Sequence, residues 1–365
     1  MSRRRVSRYG ERAQPEITSG MLVLIIFAAA AILLTVYFIC NIEYTPTEDT
    51  ETDTESGAVT DGGASGGTGT NAEDTAAAEE YITVSVSNSE VYSGYMMLVN
   101  YETIFNFDYA EPTVTLYHND EKSDSYSLAT SSISCAASIL EYLNNFLDAY
   151  AEATGDEGAI INSGARTYED QLSIMEEYTE LYGEDYANAY VAVPGYSEHH
   201  TGYALDIASL GSDYDSLWLI ENCWRYGFVQ RYQAGKEDIT KISYEYWHYR
   251  YVGAPHAEIM MTTNLCHEEY VDMLREYTID TPYEFTSSDH GTVYALYFVA
   301  ASSDNVEETT DVSIPACAEE YKIEGNNVDG FVVTVTVSYG TDETDAEERV
   351  TADENTSADA ETTDE

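Results

Sequence analysis

Two short segments of the 365-residue chain carry side chains that together could perform hydrolytic chemistry. "SEHHTGYALDI", residues 197–207, places His199 and His200 seven and six positions ahead of Asp206. "EYWH", residues 245–248, places Glu245 three positions ahead of His248. Imidazole and carboxylate suit zinc, and a hydrolytic zinc site needs three protein ligands and one open position. It also needs a base that is not itself a ligand. Asp206 sits between Leu205 and Ile207. Burying its charge there is costly unless it is paired or holds a cation. Adjacent histidines on an extended backbone face opposite ways, so one of His199 and His200 is expected to be a ligand. Spacing alone does not choose between them. Glu245 and His248 would likewise face apart in a regular strand. They meet at one centre only if the strand ends or bulges there. His118, His256, His267 and His290 stand alone and read as surface or core histidines.

The elements that must position these groups are legible from periodicity. Ile139, Leu140, Leu143, Phe146, Leu147 and Tyr150 recur at helical spacing and predict an amphipathic helix over 133–153. "GAII", residues 158–161, predicts a short buried strand, and "SGART" a turn. Thr167 with Asp170 forms a capping-box pattern opening a helix with Leu172, Met175 and Tyr182 on one face. Residues 189–209 predict strand, loop and strand. Residues 213–226 predict a helix with Leu217, Ile220, Cys223 and Trp224 inward. "GFVQRY" and "SYEYWHYRYVG" predict strands, and residues 254–263 a helix. The expected fold class is α+β: a small, mostly antiparallel sheet with packed helices holding a zinc site. A β-rich extension follows at 285–340, either a separate module or an extension of the sheet.

The three segments "SGART" with its following "YEDQ", "SEHHTGYALD" and "YEYWHYRYVG" resemble, in this order along the chain, the motifs of the zinc D-alanyl-D-alanine carboxypeptidases of the VanY type. Ser197, His199, Gly202, Ala204 and Asp206 match the second motif in place. The resemblance covers roughly residues 95–280. It implies that His199, Asp206 and His248 bind zinc, which selects His199 over His200. It implies that Glu245 is the general base and acid, and that Arg166 holds the terminal carboxylate of the substrate or polarises the scissile carbonyl. Ser197 and Gln171 match positions that can line the substrate pocket. Two departures are Ala165, where an aromatic residue is usual, and Tyr246, where proline is common. Neither removes a reacting group. The implied activity is removal of a C-terminal D-alanine from peptidoglycan stem peptides. L,D-carboxypeptidase and D-Ala-D-Ala dipeptidase activity fit the same motifs. A non-catalytic zinc-containing wall-binding module is the reading from another class, and the presence of Glu245 argues against it.

Composition bounds the rest. The chain carries 67 acidic against 15 basic residues, a formal net charge of -52, which repels nucleic acid and predicts no such partner. Five of the basic residues, Arg3, Arg4, Arg5, Arg8 and Arg12, precede the uncharged apolar run Met21 to Cys40. Twenty residues of helix span roughly 30 Å, the hydrocarbon thickness of a bilayer. With the positive charges ahead of it, this run predicts a single-pass membrane anchor, N-terminus cytoplasmic and the remainder extracytoplasmic. The expected organisation is a basic segment at 1–20, an anchor at 21–40, an acidic disordered stalk at 41–80, a zinc carboxypeptidase domain at 81–284, the β-rich extension at 285–340 and an acidic tail at 341–365. The five cysteines show no CxxC spacing, and their pairing is not legible.

Overall fold

The computed structural model describes residues 81–155, 158–211, 213–288 and 291–337. The expected anchor, stalk and acidic tail lie outside the described residues. No helix among the described residues is long and apolar enough to cross a membrane.

The central sheet has five strands in the order β3-β5-β6-β8-β7. They are β3 (Tyr126–Leu128), β5 (Ala159–Ser163), β6 (Ala204–Ser209), β7 (Phe228–Tyr232) and β8 (Glu245–Tyr251). Only the β3–β5 pairing is parallel, so the sheet is mostly antiparallel as expected. In β6 the side chains alternate. Leu205 and Ile207 join the main core, where they meet Leu143, Phe146 and Leu147 of helix α1 (Leu140–Thr154). Asp206 therefore projects from the opposite face. Its cross-strand partner is His248 of β8, which puts the two side chains on the same face.

β8 is irregular where the chemistry lies. Gln230 pairs with Tyr249, but Tyr232 pairs with Glu245, so β8 accommodates extra residues between the two pairings. This break in the ladder is what lets Glu245 and His248 approach one centre. His199 arrives on a tight turn, Glu198–Thr201, whose first backbone groups are capped by Ser197 Oγ. The turn ends at Gly202, with φ 74°. A Cβ there would lie 2.9 Å from the backbone nitrogen of Ala136, so the position needs glycine twice over, for its dihedral and for its space.

Some local expectations were displaced by packing. Helix α1 begins at Leu140, because Ser134–Ala136 is a strand, β4, pairing with β2 (Thr113–Thr115). Extended backbone there lets Ser134 O accept from Ala165 N, which anchors the loop that carries Arg166. Helix α2 (Tyr168–Tyr182) has the predicted capping box, but Leu172 and Tyr182 are 40% and 60% exposed. Its buried position is Gln171. The expected strand at 189–193 is instead the end of helix α3 (Glu184–Tyr190) and a loop. Tyr178, Tyr182, Tyr186 and Tyr190 form a ladder of ring contacts across α2 and α3, with centroids 5.5, 5.0 and 4.7 Å apart. These contacts use the aromatic rings that would otherwise favour a strand. In helix α4 (Asp213–Asn222), Leu219 rather than Leu217 is buried.

The β-rich extension forms its own antiparallel sheet in the order β12-β13-β10-β9. Its strands are β9 (Tyr283–Thr286), β10 (Val293–Ala300), β12 (Ala318–Gly325) and β13 (Gly330–Val337). β11 (Thr309–Pro315) pairs with β1 (Tyr81–Ser87). Leu296 and Val332 share a core with Ile259, Met260, Tyr270 and Leu274 of helices α6 (His256–Thr263) and α7 (His267–Leu274); α5 is the short helix Glu237–Thr240. The extension is thus a second sheet packed on the helices that follow β8, not further strands of the central sheet. Cys135, Cys223 and Cys266 are buried free thiols and Cys317 is an exposed one.

Candidate active site

Among the described residues, His199, Asp206 and His248 form a group able to hold a metal, with candidate donor atoms all within 4.8 Å of one another. Asp206 Oδ1 lies 3.4 Å from His199 Nε2 and 3.2 Å from His248 Nδ1. It is buried, yet accepts no well-aligned hydrogen bond. An unpartnered buried carboxylate oxygen facing two imidazole nitrogens is the arrangement a cation resolves. The outward nitrogens are already committed. His199 Nδ1 is 2.7 Å from Gly164 O, and His248 Nε2 is 3.4 Å from Glu198 Oε2. Such contacts fix the ring orientation and leave the inward nitrogen free to donate its lone pair.

His200 is turned away from this group. Its Nε2 accepts from Gly195 N at 3.0 Å, which leaves Nδ1 to donate to Arg166 O at 2.9 Å. It ties two loops of the site together. Arg166 Nε donates to Ser163 Oγ at 2.9 Å, Nη1 to Gln171 Oε1 at 3.1 Å and Nη2 to Asp206 Oδ2 at 2.7 Å. Guanidinium has five N–H donors, so these three bonds leave two. Gln171 and Ser197 stand behind the site. They are 1% and 3% exposed, and Gln171 spends its amide on Arg166 and on Ala192 O.

Glu245 Oε2 lies 3.7 Å from His248 Nδ1. Burial pushes its carboxyl up to about 8, against the pull of His248. Burial and the charge of Arg166 pull His199 down to about 4, so its ring is neutral at pH 7. Burial also opposes charge on His248, but its contacts with the carboxylates of Asp206 and Glu198 outweigh it and raise His248 to about 9. A metal would take the place of that proton.

Glu198, the residue between Ser197 and His199, is a functional neighbour that motif spacing missed. It is buried, with Arg231 Nε donating to its Oε1 at 2.7 Å and Arg250 Nη1 3.3 Å from the same oxygen. Burial works against its charge, but Arg231 and Arg250 hold its carboxyl well below the usual range. Arg231 also forks onto Glu268, with Nη1 and Nη2 at 3.0 and 2.7 Å from its two oxygens. Arg250 is anchored to the carbonyls of Tyr95 and Met97. A signal was present in the sequence. "GFVQRY" and "YWHYRYV" each place an arginine in an apolar strand, and a buried guanidinium demands a carboxylate.

The model of the VanY family, described as D-alanyl-D-alanine carboxypeptidase, matches residues 132–254. A D-alanyl-D-alanine carboxypeptidase of Enterococcus faecium is 32% identical over 256 residues, which span 69% of this chain and 78% of that relative. This chain belongs to the VanY family of D-alanyl-D-alanine carboxypeptidases. The VanY-family chain is also similar to the bifunctional D-Ala-D-Ala dipeptidase and carboxypeptidase VanXYC of Enterococcus gallinarum. There it is 36% identical over 137 residues, 34% of this chain and 72% of the relative. Among solved structures it resembles the D,D-dipeptidase VanXYg in complex with a D-Ala-D-Ala phosphinate analogue. That likeness has a TM-score of 0.61 and 30% identity, covering 70% of this chain and 99% of the other. All three proposed ligands, Glu245 and Arg166 fall inside the segment that the VanY family model matches.

Proposed function

We propose that this chain is a membrane-anchored, extracytoplasmic zinc D,D-carboxypeptidase that removes the C-terminal D-alanine of peptidoglycan stem peptides. The observation that carries the metal assignment is the unpartnered Asp206 Oδ1 facing His199 Nε2 and His248 Nδ1. His199, Asp206 and His248 would hold the zinc. Bound zinc would polarise the scissile carbonyl and lower the pKa of a coordinated water to about 7.

The remaining work falls to this chain's own groups. Glu245 is placed beside the donor set to take the water proton and pass it to the leaving amine. Its burial makes the protonated carboxyl accessible near neutral pH, which suits a group that must both accept and return a proton. Arg166 offers two unspent N–H donors to the terminal carboxylate of the substrate. His200 and Gln171 hold that arginine, one by its backbone carbonyl and one by its guanidinium.

Anchoring and location rest on the arginines ahead of the apolar run 21–40. The acidic stretch 43–80 would then lie between the bilayer and the enzyme. Likeness to the two dipeptidase relatives favours one second reading, cleavage of free D-Ala-D-Ala. Mass spectrometry of products from a stem pentapeptide, the corresponding tetrapeptide and the free dipeptide separates these readings. A D,D-carboxypeptidase shortens only the pentapeptide by one alanine. Cleavage of the tetrapeptide or dipeptide alone would contradict the proposed specificity.

A further inference from the structure

Residues 93–105 form no helix or strand, yet Met96, Met97, Leu98, Val99 and Phe105 are buried. A buried irregular segment needs partners elsewhere for its backbone polar groups. The partners of this strap lie on two sides. On one side is the turn between β12 and β13 of the extension. Tyr95 N donates to Glu324 Oε1 at 3.0 Å, Gly325 N to Ser93 O at 2.8 Å and Leu98 N to Asn326 O at 3.1 Å. Asn327 Nδ2 lies 2.9 Å from Leu98 O and 3.0 Å from Ile104 O. The turn is shaped for this approach. A Cβ at Gly325 would collide with the carbonyl oxygens of Glu90 and Val91. Asn326 Oδ1 accepts from the backbone nitrogens of Val328, Asp329 and Gly330. Asn327 has φ 62°, a region that asparagine tolerates better than most residues.

On its other side the strap meets the candidate active site at two points. Arg250 Nη2 donates to Tyr95 O at 3.0 Å and to Met97 O at 2.9 Å. The same guanidinium faces Glu198, whose second oxygen faces His248 Nε2. Farther along, Phe105 N donates to Gly195 O at 2.8 Å. Gly195 N donates to His200, and His200 to Arg166 O. Ile104 O and Phe105 N belong to one planar peptide group, so Asn327 and Gly195 grip the two ends of a single rigid unit.

We infer that the β-rich extension serves the active site through this strap. Glu324 positions the arm that runs through Tyr95, Arg250 and Glu198 to His248. Asn327 positions the arm that runs through Phe105, Gly195 and His200 to Arg166. Both are positioning residues and touch neither a metal ligand nor substrate. The second arm rests on the proposed peptidase reading, because it ends at the proposed carboxylate clamp. The first ends at the donor set and is read by metal binding alone.

The test uses the full-length protein and the variants Glu324→Met, Glu324→Gln, Asn327→Gly and Val335→Ala. Zinc affinity is read by competition with a chromophoric chelator. KM and kcat for a peptide ending in D-Ala-D-Ala are read at saturating zinc. Glu324→Met leaves Tyr95 N without its acceptor and should weaken zinc binding roughly threefold, less than the loss of a partner that touches the ligand itself. KM should stay unchanged. Glu324→Gln keeps an acceptor and should restore the affinity. Asn327→Gly keeps the left-handed backbone and removes the side chain. It should raise KM roughly threefold, with kcat and zinc affinity unchanged, as for lost uniform binding. Val335 is buried in the core between the extension sheet and β11, away from both arms. Val335→Ala should lower stability in urea and move neither zinc affinity nor KM. Each arm has its own variant, so a failure to fold in one leaves the other to decide. Zinc affinity and KM shifting together in every variant, Val335→Ala included, would overturn the inference, because the extension would then lend only stability. Wild-type values in both Glu324→Met and Asn327→Gly would overturn it too. A wild type without turnover, in which Glu324→Met still weakens zinc and Glu324→Gln does not, would support the metal arm and refute the proposed reaction.

Discussion

Replacing Glu198 by glutamine tests whether the buried charge cluster serves the metal site or only the fold. Glutamine keeps the shape and an acceptor for Arg231, but removes the charge that faces His248 Nε2. That contact is 3.4 Å, long for a hydrogen bond, so the loss should sit at the low end of the usual effect of such supporting carboxylates. Zinc affinity is expected to fall about tenfold, or about 1.4 kcal/mol. The fold should survive. Arg231 retains both bonds to Glu268, and Arg250 retains the carbonyls of Tyr95, Met97 and Tyr251. Arg231 keeps Glu268 but the buried Arg250 loses its carboxylate, so destabilisation of a few kcal/mol is expected, up to the roughly 3–5 kcal/mol that follows when a buried charge is orphaned. Competition for zinc with a chromophoric chelator reads the first quantity, and urea unfolding of the metal-free protein reads the second. A folded Glu198→Gln protein with wild-type zinc affinity would refute the argument that Glu198 orients His248.

Further outcomes follow from other parts of the structure. Gly202→Ala should destabilise the protein by at least about 1 kcal/mol in urea unfolding, because φ is 74° and the new Cβ meets the backbone of Ala136 at 2.9 Å. Arg166→Lys should lower kcat/KM for D-Ala-D-Ala peptides at least tenfold, roughly the loss of one charge-assisted hydrogen bond, since an ammonium cannot reproduce the fork. Acid should unfold the protein through the buried carboxylates. Burial opposes ionisation of Glu268, but Arg231 prevails and holds its pKa at about 2, below its ordinary 4.5. Its stabilisation, about 3 kcal/mol, is fully present above pH 4.5 and is lost as pH falls from there towards 2. Glu268→Gln should flatten stability across that window in pH-dependent urea titrations.

The candidate donors stood out because their chemistry is concentrated in short motifs, with Asp206 a charge between Leu205 and Ile207, but the choice of His199 over His200 came from the family resemblance and not from spacing. The helical core face of α1 was legible for a similar reason, since Leu143, Phe146, Leu147 and Tyr150 are all buried. What periodicity missed depends on contacts distant in sequence. Helix α2 turns Gln171 inward because Arg166 and the Ala192 carbonyl await it, and its larger side chains, Leu172 and Tyr182, remain exposed. Glu198 gained its role only when Arg231 and Arg250, more than thirty residues away, closed around it. The approach of Glu245 to His248 required an irregular ladder, which alternation by itself cannot foretell.

We propose that His199, Asp206 and His248 hold a zinc ion at which Glu245 handles the proton. The most direct measurement is D-alanine release from a stem pentapeptide by wild type and Glu245→Gln, with the bound zinc of each counted by atomic absorption. About one zinc per chain is expected in both proteins, with release by wild type and a rate for Glu245→Gln lower by at least about 10². A Glu245→Gln protein that retains zinc and releases D-alanine at the wild-type rate would contradict the proposal.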